Sequence, residues 1–260
     1  MRFNPYGFFI ALGIGLAVFV VEKTRAKLIK KRVISFDFDS FDILPWLIIP
    51  GLVFARLYHV FDYWLYYRNN LVSIFYFWQG GLGILGAFFG AFLGIFLFLK
   101  SKLKEKDLKT AFLTTLDLIA LGLPLGQAIG RFGNFFNQEL YGLPTNLPWK
   151  IYINPENRIA IFKNFSYFHP LFLYESIICL IIFFILFKLS KRRKNMGKGT
   201  IFSLYLLMYS VLRFLLEFLR PIGWEMGGIR VNQIVSLFFI LISVLFLLNK
   251  VVKSIFGNDC

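Results

Sequence analysis

The sequence is poor in the residues that catalyse hydrolysis or bind metals in most soluble enzymes. Its 260 residues include only two cysteines and two histidines, and 17% are charged. Cys179 lies in an apolar run and Cys260 ends the chain, so a disulfide framework is not expected. There is no G-x-S-x-G motif, no plausible Ser–His–Asp set and no cluster of metal ligands. These absences argue against an acyl-enzyme and against metal-dependent hydrolysis, and no metal or cofactor is expected.

Acidic residues are also scarce, since 14 Asp and Glu stand against 29 Lys and Arg, for a net charge of +15. Most of the basic residues lie in four clusters between or after apolar segments, at 23–32, 100–109, 188–198 and 250–253. This is the distribution that the positive-inside rule predicts, with attraction to anionic lipid as a secondary effect. We therefore expect no nucleic acid among the partners.

Apolar residues dominate what is present: 58% of the chain is hydrophobic, including 34 Phe. A soluble domain of this size cannot bury so much apolar surface, whereas a multi-pass membrane protein exposes it to lipid. A bilayer is crossed by about 20 apolar residues. Seven segments are long enough: Phe3–Val21, Ile43–Tyr66, Gly81–Leu99, Ala111–Ile129, Pro170–Leu189, Thr200–Leu219 and Val231–Leu248. The sequence thus predicts an all-α integral membrane protein with seven transmembrane helices in a single domain, residues 1–260.

The basic clusters also predict the topology, because they follow the first, third, fifth and seventh segments. The N-terminus is then outside and the C-terminus cytoplasmic. We expect the first segment to be retained as a helix, because it has no clear small-residue cleavage site. Two outer connections stand out. Residues 68–79, aromatic and nearly uncharged, predict an interfacial arm. Residues 137–168, interrupted by prolines, predict a small external head.

The stretch 126–142, GQAIGRFGNFFNQELYG, is the most informative part of the chain. A charged residue inside a membrane costs about 2.5–3.5 kcal/mol by insertion scales, so it needs a partner or a function. A guanidinium beside amides suits a phosphate at the level of the lipid headgroups. The alternative is a helix-packing patch of small residues whose arginine reaches to the interface. The polar residues concerned are Arg131, Asn134, Asn137 and Glu139.

A second set of polar residues lies on the sixth segment. Tyr209, Arg213 and Glu217 are spaced i, i+4 and i+8, so their side chains share one helix face, and Arg220-Pro221 follows. Such a face is expected to point into the bundle or a water-filled cavity. The alternative is a structural Arg–Glu pair that locks helices together.

The run G-R-F-G-N-F-F-N-Q-E resembles the signature of the prolipoprotein diacylglyceryl transferase family. The resemblance covers six of the seven segments, although Asn232 stands where the family has Gly, and Leu85 where it commonly has His. The further matching pieces are Tyr6-Gly7, an Arg at Arg56, H-P-x-x-L-Y-E from His169 to Glu175, Y-x-x-x-R-x-x-x-E from Tyr209 to Glu217, and Gln233 with Ser236.

The resemblance implies an enzyme that moves the diacylglyceryl group of phosphatidylglycerol to the lipobox cysteine of a prolipoprotein signal peptide. It acts at the outer leaflet of the bacterial inner membrane, and glycerol 1-phosphate is released. Arg131 and Arg213 would bind the phosphate and stabilise the leaving group, and Glu139 and Glu217 would orient the arginines. The implied catalytic residues are Arg131, Arg213 and Glu139; those binding phosphatidylglycerol are Arg131, Asn134, Asn137, Gly142, Tyr6, Tyr209, Arg213 and Glu217; those supporting are Arg56, His169, Tyr174, Glu175 and Gln233.

Several roles stay open at this stage. With Leu85 in place of His, the general base is unassigned, and Glu139, His169 and water are the candidates. Glu175 is expected to neutralise an arginine, and Asp117 to pair with one inside the membrane. Arg56, with His59 and Asp62 on one helix side, predicts either a packed polar stripe or an ion pair.

Two other functional classes compete with the transferase. A transporter or flippase for an anionic amphiphile would also place arginines in a bundle, but we find no internal repeat of the kind common in transporters. A structural scaffold does not explain why the charges gather near the outer face.

Overall fold

The computed structural model describes residues 4–31, 34, 39–192, 195–223 and 225–256; Phe3 and Cys260 lie outside these ranges. Seven of the helices in this part of the chain are long and apolar enough to cross a membrane. The predicted fold class is therefore confirmed, while the orientation of the termini and the extent of the domain stay predictions. The helices are α1 Pro5–Lys30, α2 Ser40–Asp62, α3 Trp64–Tyr67, α4 Ile84–Lys102, α5 Glu105–Phe136, α6 Leu171–Ser190, α7 Thr200–Glu217 and α8 Val231–Phe256.

The helices differ from the predicted segments mainly at their ends. Helix α5 continues past Ile129 to Phe136, and α2 ends at Asp62 instead of Tyr66. The predicted boundaries follow the apolar residues, which extend only as far as the hydrocarbon core of the bilayer. Helical backbone hydrogen bonds continue beyond it into the polar headgroup layer. Arg131 and Asn134 thus lie one turn apart on the last turns of α5, on the same face.

The chain forms two compact units, Lys27–Thr115 and a second made of Met1–Ala26 with Leu116–Cys260. In the first unit, α4 packs against α2 through glycines spaced four residues apart. A Cβ atom at Gly90 would overlap the carbonyl oxygen of Pro50, and Gly86 and Gly94 meet carbonyls of α2 in the same way. Backbones in such small-residue interfaces approach more closely than side chains would allow.

We expect Gly90→Ala to destabilise this unit, because the added methyl group forces the two backbones apart. Overpacking of this kind costs about 1–3 kcal/mol, sometimes more. Thermal unfolding of the purified protein in detergent should show a lower Tm. The matched control is Gly15→Ala in α1, where an added Cβ has no atom within 4 Å. Equal Tm values for the two variants would contradict the proposed packing.

In the same unit, the side chain of Arg56 binds the segment that follows α3 to helix α2 through hydrogen bonds. Of the two alternatives for Arg56, an ion pair within the protein is not found among the described residues, where its guanidinium donates to backbone carbonyls. The segment itself forms two short 3₁₀ helices, Leu71–Phe75 and Phe77–Gln79, and its place in the outer leaflet stays a prediction. The acceptors are the carbonyls of Ser73 at 2.6 Å, Ile74 at 2.8 Å, Gly80 at 2.7 Å and Gly81 at 3.1 Å.

In the second unit, α7 packs against both α6 and α8, and α1 meets α5 at Gly13 and Gly126. Asp117, fully buried on α5, accepts hydrogen bonds from the backbone N–H groups of Lys198, Gly199 and Phe202 at 2.9–3.2 Å. It therefore caps the start of α7, where backbone N–H groups lack acceptors within the helix. No arginine pairs with Asp117 among the described residues, so the predicted Asp–Arg pair is wrong.

Between α5 and α6 lies a small head with its own apolar core. Strand β1, Ile151–Tyr152, pairs antiparallel with β2, Tyr167–Phe168. The remaining short elements are the 3₁₀ helices Pro155–Asn157 and Ala160–Phe162 in the head, and the antiparallel strands β3 Glu225–Met226 and β4 Ile229–Arg230 before α8. Tyr141, Ile153 and Phe168 form the core of the head.

Candidate functional site

Glu175 lies at the centre of the strongest polar cluster in the second unit. Helix α6 buries this carboxylate, which is 4% exposed, about one turn after Pro170. It accepts hydrogen bonds from the Nη2 of Arg131 at 2.6 Å, the Oη of Tyr209 at 3.0 Å and the Nη1 of Arg213 at 3.4 Å. Helices α5, α6 and α7 thus bring two guanidinium groups to one carboxylate. This cluster is called the arginine site below.

The end of α5 continues the arginine site. The Nη1 of Arg131 donates to the Oδ1 of Asn134 at 3.2 Å, and the Nδ2 of Asn134 donates to the Oε1 of Glu139 at 2.7 Å. Glu139 is flanked by Gln138 and Leu140, both with positive φ, of 53° and 54°. A left-handed residue other than glycine costs about 1–2 kcal/mol. The fold therefore bears strain to keep this carboxylate beside Asn134, and such strain tends to occur at functional sites.

A second carboxylate, Glu217, is a counterion of the arginines at the end of α7. It is fully buried at the end of α7, with the Nη2 of Arg213 at 4.0 Å and the Nε of Arg220 at 3.8 Å. Its Oε1 accepts a hydrogen bond from the Nδ2 of Asn232 at 3.2 Å, and Arg230 donates to its backbone carbonyl. Asn232, which departs from the family pattern, thus holds Glu217 in place.

Among the described residues, the guanidinium groups of Arg131, Arg213 and Arg220 share two carboxylates within 4.0 Å, those of Glu175 and Glu217. Glu139 is joined to Arg131 only through Asn134. Burial, and then the nearby charge of Arg213, lower the pKa of Arg220 below its usual value. In addition, the Nε of Arg131 is buried without a hydrogen-bond partner among the described residues. Unpaired buried donors are rare and costly. The arrangement therefore suits an anion.

His169 and Tyr174 belong to a separate contact between the head and α6. The Nε1 of Trp149 donates to the Oη of Tyr174 at 2.7 Å, and this hydroxyl lies 3.2 Å from the Nδ1 of His169. Burial lowers the pKa of His169 below its usual value, which favours the neutral ring. A neutral Nδ1 can accept the hydroxyl proton of Tyr174. No hydrogen bond between described residues joins His169 to the arginine site.

Three further predicted residues lie around α5 and the head. The ring of Tyr6 packs on Gly133, where a Cβ would lie 3.0 Å from it. Gly142 donates its N–H to the carbonyl of His169 at 2.8 Å, and a Cβ there would be 2.8 Å from the His169 Cβ. Gly142 therefore provides close packing at the base of the head. Asn137 is exposed at the end of α5. The substrate contacts of these three residues stay predictions.

Sequence reasoning missed part of this arrangement. It gave Glu175 only a supporting role, assigned none to Arg220, and missed Trp149. Arg220 could have been found, because it directly follows the Tyr209–Glu217 face. Nothing in the sequence joins Trp149 to Tyr174. Gln233 lies in the first turn of α8, and its Nε2 is buried without a hydrogen-bond partner among the described residues. Within those residues, no three His, Cys, Asp or Glu side chains are grouped as metal ligands.

Comparison with known proteins gives one consistent result. A family model described as prolipoprotein diacylglyceryl transferase matches residues 1–249. The chain is similar to three proteins named phosphatidylglycerol–prolipoprotein diacylglyceryl transferase. That of Acaryochloris marina is 43% identical over 76% of this chain and 70% of its own. That of Trichormus variabilis is 41% identical over 89% and 80%, and that of Thermotoga maritima 42% over 91% and 77%. The chain therefore belongs to the prolipoprotein diacylglyceryl transferase family.

Proposed function

We propose that this protein transfers the diacylglyceryl group of phosphatidylglycerol to the lipobox cysteine of a prolipoprotein. The substrates are those named for its relatives. The product is a thioether, and glycerol 1-phosphate leaves. The active site opens to the outer leaflet of the bacterial cytoplasmic membrane. The observation that carries the proposal is that Arg131 and Arg213, from different helices, meet at Glu175.

The chemistry requires little of the protein beyond electrostatics. The cysteine sulfur attacks the glycerol carbon, a sulfur–carbon bond forms, and the carbon–oxygen bond to the phosphate breaks. The thiol loses its proton, and the leaving phosphate gains negative charge. No acyl group moves, so no acyl-enzyme is needed. Fixed donors that face developing charge in a site without bulk water contribute several kcal/mol to such reactions.

The arginine site supplies these donors in fixed positions. Glu175 orients both Arg131 and Arg213, and the free Nε of Arg131 is a further donor for a phosphate oxygen. Guanidinium groups match phosphate with parallel hydrogen bonds, which a lysine cannot provide. The nearby guanidinium groups also favour the thiolate over the thiol, whose ordinary pKa is about 8.5. Glu139 acts through Asn134 as a positioning residue.

Mass spectrometry of the acceptor peptide tests this function. The purified protein is placed in vesicles of phosphatidylglycerol with a peptide that carries a lipobox cysteine. We expect the peptide to gain one diacylglyceryl unit, and glycerol phosphate to appear in equal amount. Vesicles of phosphatidylcholine are the control. Movement of lipid between leaflets without any thioether product would instead support a transporter and overturn the proposal.

A further inference from the structure

The free edge of β1 is a feature that the proposed reaction does not yet use. Tyr152 lies opposite Tyr167 in the two-stranded sheet. The carbonyl of Tyr167 accepts a hydrogen bond from the N–H of Thr145 at 3.1 Å, so it points away from β1. Tyr152 and Tyr167 are therefore a non-hydrogen-bonded pair of the antiparallel sheet, in which the two facing residues exchange no backbone hydrogen bonds. The N–H and C=O of Tyr152 therefore also point outward, and no described backbone group outside the pair bonds to them.

This edge faces the turn that follows α5. Backbone groups two residues apart in a strand point the same way. The N–H of Asn154, two residues beyond Tyr152, donates to the Oε1 of Gln138 at 2.8 Å. A cavity of about 180 Å³ lies between the edge and this turn. Its walls include Phe135, Phe136, Phe172, Ile151, Tyr152 and Glu139.

The size and lining of the cavity suit one apolar side chain. An apolar cavity of about 150 Å³ holds a benzene ring, so a space of about 180 Å³ has room for one aliphatic or aromatic side chain. The cavity also adjoins the arginine site, because Glu139 in its wall bonds to Asn134, which bonds to Arg131. Whatever occupies the cavity therefore lies close to Arg131, where the proposed function places the phosphate.

We propose that the β1 edge and this cavity hold the extended segment of the prolipoprotein beside its acceptor cysteine. The peptide adds a strand to β1 through the N–H and C=O of Tyr152. One of its apolar side chains fills the cavity. Main-chain hydrogen bonds with pockets for alternate side chains are a recurrent mode of peptide recognition. The inference rests on the proposed function, since the occupant is its protein substrate.

Steady-state kinetics of cavity variants test the inference. The full-length protein in phosphatidylglycerol vesicles is assayed with lipobox peptides that differ in their apolar side chains. Ile151→Phe narrows the cavity, and we expect the KM for the peptide to rise about tenfold or more. The KM for phosphatidylglycerol and kcat should change less than twofold. The matched control is Ile161→Phe on the same head, because Ile161 is 73% exposed and does not line the cavity.

A second variant enlarges the cavity instead of narrowing it. Its result is independent of whether the head folds normally with Phe at position 151. Phe136→Ala enlarges the cavity and should shift preference toward peptides with a bulkier apolar side chain about tenfold. Unchanged peptide KM and preference in both variants would overturn the inference while transfer by the unaltered enzyme continues. A rise in the KM for phosphatidylglycerol instead would assign the cavity to a lipid chain. No product from the unaltered enzyme with any peptide would overturn the proposed function itself.

Discussion

Replacing Arg131 or Arg213 by alanine is expected to lower kcat/KM for diacylglyceryl transfer about 10²–10³-fold, as loss of one oxyanion donor does in other enzymes. Arg131 and Arg213 donate to Glu175 from different helices. Each substitution therefore removes one fixed hydrogen-bond donor from the same site. Lysine at either position should restore little, because an ammonium group cannot reproduce the guanidinium fork. The measurement is the rate of thioether formation by mass spectrometry.

The control for this prediction is Arg25→Ala. Arg25 lies near the end of α1 and is paired with Glu22 at 2.5 Å, in the same unit as the arginine site. This variant removes one positive charge without changing the site, and transfer should continue at the original rate. All variants must accumulate in the membrane to the same level. Full activity in both Arg131→Ala and Arg213→Ala would remove the arginines from the mechanism.

Glu175→Ala should produce the largest loss of stability of any single change at the site. It leaves Arg131 and Arg213 without the carboxylate they share, in a place where their side chains are only 22% and 20% exposed. Breaking a buried pair costs about 3–5 kcal/mol, because an uncompensated charge stays behind. We expect a lower Tm in detergent and a loss of transfer. Inorganic phosphate should restore part of the Tm, since it supplies the missing negative charge.

The matched control is Glu156→Ala, which removes an exposed carboxylate from the head. Its Tm should equal that of the unaltered protein, and phosphate should have the same small effect on both. If Glu175→Ala kept the original Tm and full transfer, Glu175 would not be the counterion of the arginines. If its Tm fell but phosphate had no effect, the loss would come from packing alone.

The sequence predicted the structure best where the structure depends on residues that are neighbours along the chain. Helix geometry is local, so the spacing of Tyr209, Arg213 and Glu217 placed their side chains on one face before any fold was known. The apolar segments likewise predicted the seven spanning helices, because the bilayer sets their length. The helix ends were less well predicted, since backbone hydrogen bonding continues where apolar residues stop.

The tertiary structure decided which charges meet. Glu175 joins Arg131 from 44 positions away and Arg213 from 38, and only the packing of α5, α6 and α7 brings them together. The partners of Asp117 and Arg56 show why. For Asp117 the sequence predicted an arginine partner and for Arg56 it left an ion pair as one alternative, yet both side chains bond to backbone groups. Every residue except proline carries the same backbone donor and acceptor. The sequence does not show which of these backbone donors and acceptors lack a partner within helices and strands. Only the three-dimensional arrangement therefore reveals the partners of Arg56 and Asp117.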